Sequence, residues 1–179
     1  MDLVTDFTES NKGNKHILTI IDLLMGWPEA IPIPNKSADT ITKAFVRHYL
    51  PRHLCPWFIL SDNDTEFKNQ TFDRVMKDLG IERIFSTPYH PQSNGKLETF
   101  HKFLKPTLKK MCAEDQDNWD DYIEQVLGTY RGVPNLTTGE SPFFLVYGRD
   151  GNQPLHQLLQ PLTRFLGNPD LGLLCLDQH

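Results

Sequence analysis

Hydrophobic and polar residues recur along this chain with two different periods, and the changes of period predict the order of its elements. The segments 1–7, 16–22 and 27–33 are short and rich in apolar or β-branched residues, which is typical of strands. Prolines surround the third segment and donate no ladder hydrogen bonds, so we expect that strand at a sheet edge. A helix, a strand, a second helix and a fifth strand follow, which we place at 37–50, 57–60, 69–79 and 81–85.

A polar loop over 86–95 leads into an amphipathic helix with two stripes. Apolar residues at three- and four-residue steps predict its buried face: Leu97, Phe100, Leu104, Leu108 and Met111. Charged residues recur at the same steps beside them: Glu98, Lys102, Lys105 and Lys109. Pro106 lies inside this pattern and predicts a kink or a break near 103–105. Further helices are predicted to begin at Asp117 and at Ser141.

This element order predicts an α/β fold with a five-stranded mixed sheet flanked by helices. The chain of 179 residues suits one principal domain, which we place at 1–150. Prolines and glycines scatter among the leucines of 151–179, so we expect a loosely structured C-terminal extension there.

The formal net charge of −5 argues against a protein that coats nucleic acid by bulk charge. A nucleic-acid partner would therefore need a local basic row, and five lysines between Lys96 and Lys110 form one. A solvated face with i,i+4 pairs is the alternative interpretation of the same row.

The remaining composition excludes several classes of function. Three widely spaced cysteines form no disulfide framework, which favours a reducing, intracellular setting. His48, His53 and Cys55 lack a second ligand pair at zinc-finger spacing. No segment is long and apolar enough to cross a bilayer, so we expect a soluble protein with no membrane partner. We also expect no small-molecule cofactor.

Three carboxylates are candidates for a metal site. Asp2, Asp62 and Glu98 would converge if the first and fourth strands are neighbours and the long helix packs across their ends. Carboxylates suit Mg²⁺ or Mn²⁺, and such ions support phosphodiester chemistry. With 23 acidic residues, spacing alone does not single out this trio, and Asp6 and Asp22 are alternatives to Asp2.

Local motifs make the choice more specific. Asp62 lies within Ser61-Asp62-Asn63, and 35 residues separate it from Glu98 (98 − 62 − 1 = 35). Together with the segments 1–3, 20–22 and 89–98, these motifs resemble the catalytic core of retroviral and gypsy-type LTR retrotransposon integrases. The resemblance extends from Met1 to about Asp150. Asp64 and Thr99 depart from it, because the family usually has glycine and often a basic residue at these positions.

The resemblance implies an RNase H-like fold in which Asp2, Asp62 and Glu98 bind Mg²⁺ or Mn²⁺ as the D,D-35-E set. It implies 3′-end processing of element DNA, strand transfer into target DNA, a homodimer, and action in the nucleus. The residues expected to contact DNA are Tyr89, Gln92, Asn94, Lys96, Lys102, Lys105 and Lys109. We expect a fragment of a Pol polyprotein or a host-retained remnant of one. The alternative is an integrase-derived module that binds DNA or dimerises without catalysis.

Overall fold

The computed structural model describes residues 1–5, 7–62, 67, 69–85, 95–113 and 115–151. Its first strands form an antiparallel sheet in the order β1 (Asp2–Val4), β2 (His16–Ile21) and β3 (Pro28–Ile33). Five of the six β2 residues are buried, as expected for a central strand covered on both faces. The proline-containing β3 lies at the edge of this sheet, which confirms the prediction.

The turn between β1 and β2 is fixed by residues more than 100 positions away. The Ser10 hydroxyl and the Asn14 amide each donate a hydrogen bond of 2.7 Å to Asp120 Oδ2. The indole of Trp119 donates to the Thr8 carbonyl at 2.8 Å. Asp120 and Trp119 belong to a 3₁₀ helix (Gln116–Tyr122), so hydrogen bonds join the turn of the β1–β2 hairpin to this helix.

The first helical segment passes a proline by changing its pitch. Helix α1 (Ala38–Ala44) begins at Ser37, whose hydroxyl accepts the Thr40 N–H, as predicted. A π-helical turn (Phe45–Tyr49) and helix α2 (Leu50–His53) continue it. Pro51 has no N–H and would clash with the carbonyl four residues earlier in a regular helix. The wider turn accommodates the proline, so the helical segment ends at His53 and not near Leu50.

The next three elements form a parallel β-α-β unit. Strands β4 (Phe58–Ser61) and β5 (Glu82–Phe85) pair in parallel, and helix α3 (Gln70–Asp78) connects them. Asn69 caps α3 through the Thr71 N–H. Gly80 follows the helix with φ +72°, the left-handed conformation that favours glycine at a helix end.

The predicted single five-stranded mixed sheet is not observed in the described part of the chain. The five strands occur in the predicted order, but they form a three-stranded antiparallel sheet and a two-stranded parallel sheet. The backbone nitrogen of Met1 donates to the Leu60 carbonyl and joins β1 to β4. Strand β1 has only three residues, and all three pair with β2. The described contact between β1 and β4 is the hydrogen bond from Met1.

Helix α4 (Gly95–Met111) runs without a break through Pro106, so of the predicted kink or break near 103–105 the break is wrong, and the kink stays a prediction. The predicted apolar stripe is buried at four positions, Leu97, Phe100, Leu104 and Leu108, whereas Met111 is exposed. Met111 is the last residue of the helix, and the next residue, Cys112, is buried in its place. Helices α5 (Ile123–Gly132) and α6 (Pro142–Tyr147) follow, and Ser141 caps α6 as predicted.

Two clusters of buried side chains cover the antiparallel sheet. The first joins the sheet to α1 and α3 through residues such as Leu18, Phe45 and Phe72. The second joins it to α4 and α5 through residues such as Phe100 and Trp119. None of the helices in the described ranges is long and apolar enough to span a membrane. The predicted extension at 151–179 lies outside the described residues except for Gly151.

Candidate active site

Asp2 and Asp62 lie at the junction between the two sheets. Asp2 is the first residue of β1, and Asp62 directly follows β4. Burial lowers the pKa of the Met1 amino group to about 6, and Asp2 and Asp62 both act in the opposite direction. Both carboxylates are therefore close enough to this amino group to interact with it electrostatically.

Glu98 approaches the same region from the first turn of α4. His101 lies one turn further along this helix. Burial lowers the pKa of His101, and the carboxylates of Asp2 and Glu98 oppose that effect. The imidazole of His101 therefore interacts with two of the three predicted carboxylates.

The three carboxylates do not gather around one point in the structure. Within the described ranges, no group of three or more His, Cys, Asp or Glu side chains is positioned to hold a metal ion. The donor set itself suits a hard divalent cation, because carboxylate oxygens are the ligands that Mg²⁺ and Mn²⁺ prefer. The assignment of Asp2, Asp62 and Glu98 as ligands stays a prediction. Asp6 lies outside the described residues.

The alternative ligand Asp22 has a local structural role. Its Oδ1 accepts the backbone N–H groups of Leu24 and Met25 at 2.9 and 2.6 Å. Asp22 is exposed and organises the turn between β2 and β3 in this way.

A hydrogen-bonded chain behind Asp2 was not predicted from the sequence. Thr19 lies directly opposite Asp2 in the β1–β2 pair, and its hydroxyl donates to the Asp2 carbonyl at 2.9 Å. The same hydroxyl is 2.8 Å from Nε2 of His101, and Nδ1 of that ring is 3.7 Å from Asp2 Oδ2. The sequence signal that could have indicated this contact is Thr19 itself, a threonine within a strand of otherwise apolar residues.

The predicted basic row divides into two parts. The Lys96 ammonium donates to the Leu23 carbonyl at 2.6 Å and fastens the start of α4 to the β2–β3 turn. Lys102, Lys105 and Lys109 are exposed on α4, and none of the three forms a salt bridge with a described residue. Their positive charge is available to a phosphate backbone. Tyr89, Gln92 and Asn94 lie outside the described residues.

The fold is that of known integrase cores. The integrase catalytic core of BIV is 22% identical, with a TM-score of 0.61 over 92% of this chain and 97% of that one. The simian T-cell lymphotropic virus intasome, solved with the PP2A regulatory subunit B56 gamma, matches at 19% identity with a TM-score of 0.68, covering 86% of this chain and 55% of that one. The dimeric HTLV-2 integrase core, solved with magnesium, is 17% identical with a TM-score of 0.62, covering 79% and 91%. These likenesses define an RNase H-like α/β fold of the integrase class.

Sequence comparison then identifies the family. Residues 1–91 match the family model described as the integrase core domain, which is more than half of the chain. This chain belongs to that family. It is 30% identical over 156 residues to the retrovirus-related Pol polyprotein from transposon 412 of Drosophila melanogaster. It is 32% identical over 170 residues to the Gag-Pol polyprotein of baboon endogenous virus (strain M7). These matches cover 87% and 93% of this chain but 13% and 10% of the polyproteins.

Proposed function

We propose that this chain is the catalytic core of a polynucleotidyl transferase that processes the 3′ ends of element DNA and joins them to target DNA. The observation that carries the proposal is the placement of Asp2 and Asp62 at the β1–β4 junction, with Glu98 on the helix that approaches it. Membership of the integrase core domain family supports the same reaction class.

Asp2, Asp62 and Glu98 would hold Mg²⁺ or Mn²⁺ in this proposal. When bound, such ions activate a water or a 3′-hydroxyl and stabilise the leaving oxygen of a phosphodiester. The HTLV-2 integrase core was solved in complex with magnesium, which supports this choice of cation. Bound together, the three carboxylates would repel one another without a cation to compensate their charge, so the ion would also draw them together.

Three exposed lysines of α4, which we call the lysine row, supply the binding energy for DNA in this proposal. Lys102, Lys105 and Lys109 follow Glu98 along one helix, so a strand bound to them runs toward the carboxylates. These contacts neutralise phosphates and carry no sequence information. The row therefore positions a DNA strand, and selection of particular ends must rest on other contacts.

The decisive experiment compares Glu98→Gln with the wild type. We expect the variant to lose Mn²⁺-dependent cutting and joining of a branched DNA substrate while its circular dichroism spectrum and thermal midpoint stay unchanged. Glu82→Gln, which alters an exposed carboxylate on β5, is the matched control and should remain active. Full activity in Glu98→Gln would overturn the proposal. Salt-dependent DNA binding without any Mn²⁺ binding by the wild type would instead favour the non-catalytic module.

Self-association is part of the same proposal. Leu54 and Trp57, between α2 and β4, and Phe58, the first residue of β4, expose 77, 89 and 50% of their surface, and exposed apolar side chains near one another in the sequence favour a protein interface. A dimeric form of the HTLV-2 core is known. Analytical ultracentrifugation should show a dimer that Trp57→Arg weakens and that Leu136→Arg, at an equally exposed residue on a distant turn, leaves intact.

A further inference from the structure

We propose that Thr19 and His101 are positioning residues for Asp2, with Thr19 acting through the imidazole ring of His101. This inference rests on the proposed function, because it assigns Asp2 to a metal ion. It concerns two residues that lie outside the carboxylate set and outside the lysine row.

The first step is the direction of the hydrogen bonds at Thr19. The side chain is fully buried, and a hydroxyl has one hydrogen to donate. That hydrogen goes to the Asp2 carbonyl at 2.9 Å. The contact of 2.8 Å with His101 therefore requires Nε2 of the ring to carry a hydrogen and to donate it to the Thr19 oxygen.

The second step follows from the position of the ring. Nε2 of His101 is 2.8 Å from the Thr19 hydroxyl, and Nδ1 of the same ring is 3.7 Å from Asp2 Oδ2. The ring therefore lies between the Thr19 hydroxyl and the Asp2 carboxylate, where it limits rotation of that carboxylate.

The third step concerns the two oxygens of Asp2. Oδ1 accepts the Leu3 backbone N–H at 2.7 Å, which fixes one side of the carboxylate. The ring of His101 borders Oδ2, and only 16% of the His101 side chain is exposed, so the ring itself has little freedom to move. Thr19 thus holds β1 through the Asp2 carbonyl and holds the group that flanks the Asp2 carboxylate.

The test combines ring NMR with a double-mutant cycle. In ¹⁵N-histidine spectra without added metal, Nε2 of His101 should carry a hydrogen in the wild type. Thr19→Ser should preserve that signature, and Thr19→Val should change it. Calorimetric titration with Mg²⁺ should show an affinity about 10- to 100-fold weaker for Thr19→Val, the usual cost of losing a group that orients a ligand. Thr19→Ser should restore the affinity.

The cycle separates positioning from general damage. His101→Ala should also weaken Mg²⁺ binding, and Thr19→Val should cost less in the His101→Ala background than in the wild type, because part of the effect of Thr19 passes through the ring. Thr129→Val removes another buried hydroxyl, on α5, and should bind Mg²⁺ as the wild type does. Additive losses, or a wild-type ring without a hydrogen on Nε2, would overturn the inference. A wild type that binds no Mg²⁺ would overturn the proposed function, and the tautomer would still decide the Thr19–His101 contact.

Discussion

The carboxylates in two regions of this protein differ in their salt-bridge partners. On β3, the buried carboxylate of Glu29 lies 2.9 Å from Arg131, 2.8 Å from His53 and 3.2 Å from Arg52. The indole of Trp27 also donates to it at 3.1 Å. At the candidate active site, the predicted ligands Asp2 and Glu98 have no described lysine or arginine as a salt-bridge partner. Neighbouring cations therefore neutralise the Glu29 carboxylate, whereas the carboxylates at the candidate active site can interact with a ligand.

A buried carboxylate that stabilises the fold is paired with cationic side chains, whereas carboxylates that bind a ligand are left without such partners. The Glu29 cluster ties β3 to α2 and α5, and the stack of Arg131 on Trp27, 4.4 Å from the ring centroid, adds to it. The exposed side chains of Glu98, Lys102, Lys105 and Lys109 form no salt bridge with any residue in the described ranges. Substitutions should therefore separate the two regions by what they change.

The largest expected effect is that of Arg131→Met. Removing the guanidinium leaves the Glu29 carboxylate buried without its nearest permanent cation, a change that costs about 3–5 kcal/mol of the free energy of unfolding. Urea denaturation measures this cost. Arg52→Met is the matched control, because Arg52 bonds to the same carboxylate from a half-exposed position and should cost about 0–1 kcal/mol. Equal losses for both variants would contradict this interpretation of the cluster.

The second prediction concerns the candidate active site. A ligand that binds only the folded protein stabilises it by about 2.7 kcal/mol at 100 times its dissociation constant. Mg²⁺ should raise the thermal midpoint of the wild type accordingly and should leave that of Asp62→Asn unchanged. Without Mg²⁺, Asp62→Asn should change the free energy of unfolding by less than Mg²⁺ adds to the wild type. A clear loss of stability in this variant would mean that Asp62 serves the fold.

A smaller effect is expected from acid. Burial raises the pKa of Glu29, but Arg131 and the hydrogen bonds from His53 and Trp27 outweigh burial and leave it below the ordinary 4.5. A carboxylate with a lowered pKa stabilises the fold above its unfolded-state pKa, and this contribution is lost as the pH falls through the folded value. Below pH 4.5 the wild type should therefore lose stability more steeply than Glu29→Gln in urea titrations. Glu140→Gln, in an exposed turn, should follow the wild type.

The smallest effect on stability should come from the lysine row. Lys102→Ala combined with Lys105→Ala should change the free energy of unfolding by about 0.5 kcal/mol or less, because both side chains are exposed and free of described salt bridges. Fluorescence titrations of duplex DNA should show a log K against log salt slope that is shallower by about 2. Lys43→Ala with Lys77→Ala removes the same charge from α1 and α3 and should leave the slope unchanged.

Local signals predicted the elements well, and long-range pairing limited the rest. Caps at Ser37, Asn69 and Ser141 depend on neighbouring residues, so the sequence placed these helix starts correctly. The break at Pro106 was wrong because packing along α4 outweighs the loss of one backbone hydrogen bond. The division into two sheets depends on how far β1 extends beside β4, which no local pattern reports.

The same limit applies to the candidate site. Motifs carried the prediction of Asp2, Asp62 and Glu98, but the contact between Thr19 and His101 joins residues 82 positions apart. The charge cluster around Glu29 likewise gathers residues from β3, α2 and α5, and a glutamate within a proline-containing edge strand gave no sign of its partners.

The anchoring of the β1–β2 turn to the 3₁₀ helix also bears on the order of events during synthesis. The hydrogen bond between Ser10 and Asp120 closes a loop of 110 positions, and such distant contacts form late and slow the folding of a chain. The hairpin can collapse early on the ribosome, but its turn gains this anchor only after residues 116–122 have emerged. The turn that follows the strand carrying Asp2 is therefore anchored only once the 3₁₀ helix is available.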